Sequence, residues 1–144
     1  MNPLLRHRLL TFLAAFWWGG SAALAFVAVP TLFAYFGNPT VAGPVAAKLF
    51  TAIAWMVVVC GMGLLLLGRG DRQGPVGRAL PFILLGMVCM LVQEYGVSYK
   101  ILTARSTGAS VALWHTVGSG LILVQWLCAS WVLWLLAGLP AKPS

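Results

Sequence analysis

Acidic side chains are almost missing from this sequence: Asp71 and Glu94 are its only two in 144 residues, against nine lysines and arginines. Charge of either sign is scarce, at 8% of residues, where an ordinary soluble domain carries about 25%. That deficit leaves no stretch with the composition of a soluble domain. The three cysteines, Cys60, Cys89 and Cys128, all fall inside apolar runs and none in a loop. They give no sign of a disulfide framework and read as small hydrophobes. There is no CxxC pair and no glycine-rich phosphate loop. Only two histidines occur, and His7 lies at the opposite end of its helix from the level of His115, so one chain cannot supply a bis-histidine haem. A hydrolytic nucleophile would have to be Ser98 or Ser119 beside His115, and serines in membrane helices more often bond backbone. The reading is a non-enzymatic protein with no cofactor.

What is present is apolar length, at 61% hydrophobic residues. A spanning helix needs roughly 20 mostly apolar residues. Leu9 to Phe36 and Leu49 to Gly68 contain no charge, Ala79 to Gln93 runs apolar into Glu94, and Ser110 to Leu139 has only His115 as an ionisable group. These runs predict an all-α integral membrane protein, one domain over 1–144, built as an antiparallel four-helix transmembrane bundle. The expected helices cover about 9–36, 44–68, 79–101 and 110–138. Gly37 to Gly43 reads as a turn, with Pro44 at the first position of the second helix. Thr103 to Gly108, with Arg105, reads as the last linker. Arg6, His7 and Arg8 before Leu9, with Ala23-Leu24-Ala25, resemble a signal peptide. The apolar run continues unbroken to Phe36, so a retained first helix is expected.

The net charge of +7 raises nucleic acid as a partner. The basic residues sit in short groups beside apolar runs rather than along a soluble face, which rejects it. They read instead as topology signals touching anionic lipid. Arg6, Arg8, Arg69, Arg72, Arg78 and Lys142 share one side, and Lys48, Lys100 and Arg105 the other. Six against three predicts both termini in the cytoplasm and a multi-pass protein of the cell inner (cytoplasmic) membrane. Tyr35, Tyr95, Tyr99 and Trp114 then form an outer aromatic belt, and Trp131 and Trp134 an inner one. No internal repeat suggests an inverted-repeat transporter. Beyond the lipid bilayer, the partner expected is a membrane protein or a second copy of the chain.

Within the first helix, Gly19, Ala23, Phe26, Pro30 and Phe33 share a stripe at helical spacing. Gly19 and Ala23 are a small-xxx-small pair suited to close helix approach, and Pro30 removes a backbone donor and predicts a kink. Helix packing is the default reading of both.

Gly20, then Val29-Pro30-Thr31-Leu32-Phe33, Ala42-Gly43 and Ala47-Lys48-Leu49-Phe50, resemble the transmembrane protein 205-like family, also catalogued as domain of unknown function 4149. The similarity extends over essentially the whole chain, with a Pro-Xaa-Leu-Phe closing the first helix and a histidine, here His115, early in the fourth. The resemblance implies a small four-helix membrane protein of unestablished activity, and the short length looks like the bacterial members. Eukaryotic relatives are associated with resistance to platinum drugs, which hints at soft-metal or trafficking roles.

A carboxylate in a membrane segment is expensive and normally has a partner. Counting ~1.5 Å per residue from the outer helix ends, Lys48 lies ~6 Å in from Pro44, Glu94 ~10 Å in from Ile101 and His115 ~8 Å in from Ser110. These matched depths predict one polar layer of Lys48, Glu94 and His115, with Gln93, Ser98, Tyr99 and Ser119 as hydrogen-bonding neighbours. One reading is a structural knot, in which Lys48 snorkels and pairs with Glu94. The other is a binding or proton-handling site open to the outer face. No metal site is expected. The soft-metal alternative uses sulfur: Met87 and Met90 lie on the Glu94 stripe, and Met56, Cys60 and Met62 on the second helix, as Cu(I)-like ligands. The functional expectation is a binding or accessory membrane module, with small-solute or soft-metal transport or tolerance as the alternative.

Overall fold

The computed structural model describes residues 2–71, 73–101 and 110–138. The Thr103 to Gly108 linker with Arg105, and Arg72, Pro140 and Lys142, lie outside the described residues. All regular structure among those residues is helical, and four helices are long and apolar enough to cross a membrane: Pro3–Phe36, Pro39–Leu67, Pro75–Ile101 and Val111–Ala137. The chain is a multi-pass membrane protein.

The first three helices each begin on a proline, whose missing N–H is one the first turn leaves unpaired anyway. Asn2 and Asn38 cap the first two, their side-chain oxygens accepting from Leu4 N at 3.0 Å and Thr40 N at 2.9 Å. Asn38 moves the start of the second helix outward to Pro39. The expected Gly37–Gly43 turn shrinks to Gly37 and Asn38, and Pro44 lies inside the helix rather than at its first position. Gly37, at φ 59°, closes the first helix in the left-handed conformation that a side chain would disfavour.

Two helices are interrupted by a π turn. In the first, Ala23–Ala28 is π-helical, and Val29 N–H reaches Leu24 O. Pro30 follows directly and cannot donate to Phe26 O, so the extra residue is absorbed where the ladder is already broken. In the third, Val92–Val97 is π-helical, and Gln93 O accepts from Ser98 N–H and, at 3.1 Å, from Ser98 Oγ. Both turns lie toward the end of the bundle that carries Glu94.

Each helix packs against its two neighbours in a ring. The first lies on the second and fourth, and the third lies on the second and fourth. Leu13 meets Gly63 and Met56 meets Gly20, so the chain descends the second helix alongside the rise of the first. The core is formed by Leu10, Ala14 and Trp17 with Ile53, Val57 and Leu64, Ile83 and Met90, and Ala129, Val132 and Leu136. Trp17 is wholly buried, and its ring lies against Gly86 of the third helix.

The expected packing stripe on the first helix is not its main contact face, although Phe26 on it meets Trp126 of the fourth helix edge-on. Nothing lies within 4 Å of where a Cβ would stand on Gly19, and Ala23, Phe26 and Pro30 are exposed, with Phe33 half-buried. The contact face is Leu10, Ala14, Trp17 and Ser21, with Gly20 beside it against Met56. The physical reason is Trp17: an indole too large for a helix crossing of small residues turns this face inward and leaves Gly19 aside.

A Cβ on Gly86 would stand 2.6 Å from the Trp17 ring. Gly86→Ala should therefore destabilise the detergent-solubilised protein by about 1–3 kcal/mol, the usual cost of overpacking. Gly19→Ala, with open space around it, should leave the thermal midpoint unchanged.

Candidate functional site

Glu94 sits half-buried in the second π turn. Its Oε1 accepts a hydrogen bond of 2.6 Å from Thr51 Oγ1 on the second helix, and the same hydroxyl lies 3.2 Å from Ala47 O. A charge-assisted bond of this length is stronger than a neutral one. The carboxylate thus has a partner, as its place in an apolar helix requires, but the partner is neutral.

Lys48 lies one turn from Thr51 toward the helix start and is exposed, and His115 on the fourth helix is exposed too. Among the described residues, neither makes an ion pair or hydrogen bond with Glu94. The Lys48–Glu94 pair of the knot reading is therefore replaced by Thr51–Glu94. A lysine ammonium is strongly hydrated and long-stemmed, so it reaches water more cheaply than it desolvates against a carboxylate. The hydroxyl needs no such desolvation. Thr51 could have been found in the sequence: it is the only hydroxyl in the second helix beyond its first turn.

The remaining members of the expected layer divide. Ser119 and Tyr99 are exposed, and Ser98 is half-buried on Gln93 O. Gln93 turns inward and is 4% exposed, its amide packed where a side chain on Gly118 would stand. Around this end Lys100 Nζ lies 5.9 Å over the Trp114 ring, and Tyr35 and Tyr95 are exposed.

A second polar group, which the run of the sequence does not single out, lies deeper. Trp17 Nε1 donates to Gln125 Oε1 at 2.8 Å, joining the first and fourth helices, and both side chains are wholly buried. Ser21, one turn along the same face of the first helix, is also wholly buried. Gln125 is the only carboxamide in the fourth helix, which was the available signal. Beside it, Trp126 stacks on Trp18 at 6.1 Å and meets Phe26 edge-on at 5.4 Å. These rings close the seam between the first and fourth helices.

The sulfur set considered for a soft metal is mostly packed against neighbouring helices, with Met62 exposed. Cys60 and Met90 are buried, and the Met87 sulfur rests against Gly61. Among the described residues no three His, Cys, Asp or Glu side chains gather in a way that could hold a metal ion.

A double-mutant cycle should locate the coupling. Thr51→Val and Glu94→Gln should each lower stability by about 1–3 kcal/mol, the range for a hydrogen bond to a charged group, and together by less than the sum. Lys48→Gln and Glu94→Gln should add. Additivity at Thr51 with coupling at Lys48 would restore the ion pair.

No curated protein and no solved structure matches the chain. A family match covers residues 12–110, from early in the first helix to the start of the fourth, and leaves His115 and Gln125 beyond it. The family is described as domain of unknown function 4149, and the chain belongs to it.

Proposed function

We propose that this protein is a non-enzymatic binding or accessory module of the inner (cytoplasmic) membrane, with both termini cytoplasmic and the Glu94 end facing outward. One observation carries the reading: at the Glu94 end the carboxylate is satisfied by Thr51, while Lys48 and His115 remain exposed and, among the described residues, unpaired. A structural knot would have paired these groups with one another. Left outside the helix contacts, they serve recognition of an anionic group on a solute or on a neighbouring membrane protein.

The orientation rests on the count of Lys and Arg at the two ends, six against three, which favours the Arg6 end in the cytoplasm. Exposed tyrosines Tyr35 and Tyr95 fit the same outer surface, as amphipathic side chains at a membrane–water interface. The alternative, small-solute or soft-metal transport or tolerance, draws less support. Three of its sulfur ligands are taken up in packing, with Met87 on Gly61 and Cys60 and Met90 in the core.

Reporter fusions after Gly74 should behave as cytoplasmic and one after Thr40 as external; an external signal at Gly74 overturns the orientation. Lys48→Gln and His115→Gln are surface changes and should shift stability by no more than about 0.5 kcal/mol. In the folded double variant, whatever co-purifies with the wild type in mild detergent should be lost. Full retention of that species by the folded variant would refute the recognition surface.

A further inference from the structure

At the opposite end, a cavity of about 160 Å³ opens among Pro3, Arg6, His7, Leu10, Asp71, Pro75, Val76 and Leu136. It lies between the start of the first helix, the end of the fourth and the turn joining the second to the third. Its lining is divided. Leu10, Val76 and Leu136 form an apolar floor, continuous with the core, while Arg6, His7 and Asp71 supply ionisable heads.

Two of these heads, Arg6 and Asp71, are held in place. Arg6 Nε donates to Leu67 O at 2.6 Å and Nη2 to Arg69 O at 3.3 Å, so the guanidinium is fixed on the last carbonyl of the second helix and on the turn that follows it. Two of its five N–H donors are used, and three remain. Asp71 is fixed from both sides: its N–H donates to Gly68 O at 3.1 Å, its carbonyl accepts from Gly77 N at 3.0 Å, and its Oδ2 accepts from Val76 N at 3.3 Å. Gly70, at φ 89°, makes the sharp turn that sets the carboxylate there. One of only two acids in a chain of net charge +7 therefore stands in the same small cavity as an arginine and a histidine.

A cavity for a purely anionic headgroup would have no use for that carboxylate, since a like charge beside a phosphate opposes binding. Cationic and anionic heads side by side complement a zwitterion. The apolar floor, the position at the helix ends and the exposed neighbours Arg8, Arg69 and Arg78 place the site at a membrane interface. We propose that this cavity binds the headgroup of a zwitterionic phospholipid bearing a primary ammonium. Arg6 and His7 take its phosphate, and Asp71 takes its ammonium. The N–H donors of a primary ammonium matter here, because a quaternary ammonium has none to give to the Asp71 carboxylate.

The test uses the full chain in detergent micelles, with lipid retention read by native mass spectrometry and by thermal midpoint. Added phosphatidylethanolamine should bind at least threefold more tightly than phosphatidylcholine or phosphatidylglycerol of the same acyl chains. Asp71→Asn keeps an acceptor for Val76 N–H while removing the charge, and should erase the preference over phosphatidylglycerol in a protein that still folds. His7→Gln should weaken both phosphatidylethanolamine and phosphatidylglycerol and leave their ratio unchanged. Soluble phosphoethanolamine forms a separate arm: saturation at millimolar concentration without a lipid effect would reassign the site to a free zwitterion and overturn the lipid proposal. Equal binding of phosphatidylethanolamine and phosphatidylcholine, or an unchanged preference in Asp71→Asn, would overturn it as well.

Discussion

The hydrogen bond from Trp17 to Gln125 is the interaction on which the rest of the bundle depends. In hydrocarbon an indole N–H has no water to fall back on, and the Gln125 side-chain oxygen supplies its partner, while Gln125 Nε2 has none among the described residues. The bond therefore fixes both the rotation of the first helix about its axis and its height against the fourth. The body of the indole then fills the centre of the ring of helices, which only a glycine at position 86 allows, so that the third helix is registered by the same side chain. Gly20 against Met56 and Gly63 against Leu13 complete the fit on the second helix. Lipid provides little drive for helix association beyond such packing and hydrogen bonds. One polar contact with a large shape requirement is accordingly a sufficient organiser for a chain this apolar.

Much of this was open to a reader of the sequence, and the reason is physical. Four helices long enough to span come from run length, because a bilayer sets a single minimum for every span. The break near Pro30 comes from a missing donor. Rotation about the helix axis was not legible in the same way. A helix that is apolar all round carries no periodic signal, so Gly19 and Ala23 were as good a packing pair on paper as Gly20. The answer depended on where one indole goes. The Glu94 partner was missed for a related reason. Depth along a helix can be counted from its end, but Asn38 moved that end from Pro44 out to Pro39. Depth also says nothing about which of Lys48 and Thr51, on adjoining turns, meets the third helix. The π turn at Val92–Val97 adds a residue within the very segment concerned and rotates the facing of the side chains from Ser98 onward.

Both carboxylates end on neutral donors, Glu94 on a hydroxyl and Asp71 on a backbone N–H. That choice has a consequence for the nine basic residues. A buried ion pair gives up the hydration of two charges and often recovers little net stability, whereas a hydroxyl or an amide satisfies a carboxylate at the cost of one. The bundle thus closes without drawing any described lysine or arginine into a salt bridge with an acid. Arg6 is the cation most engaged inside the fold, and its partners are carbonyls at the negative end of the second helix and in the turn just beyond it, which leave its charge unneutralised. Cations that play no part in pairing acids remain at the two ends, where headgroups and partners are. The scarcity of acid in the sequence is therefore less a gap in the core than the condition that keeps both ends of the molecule positively charged and free to engage what lies outside it.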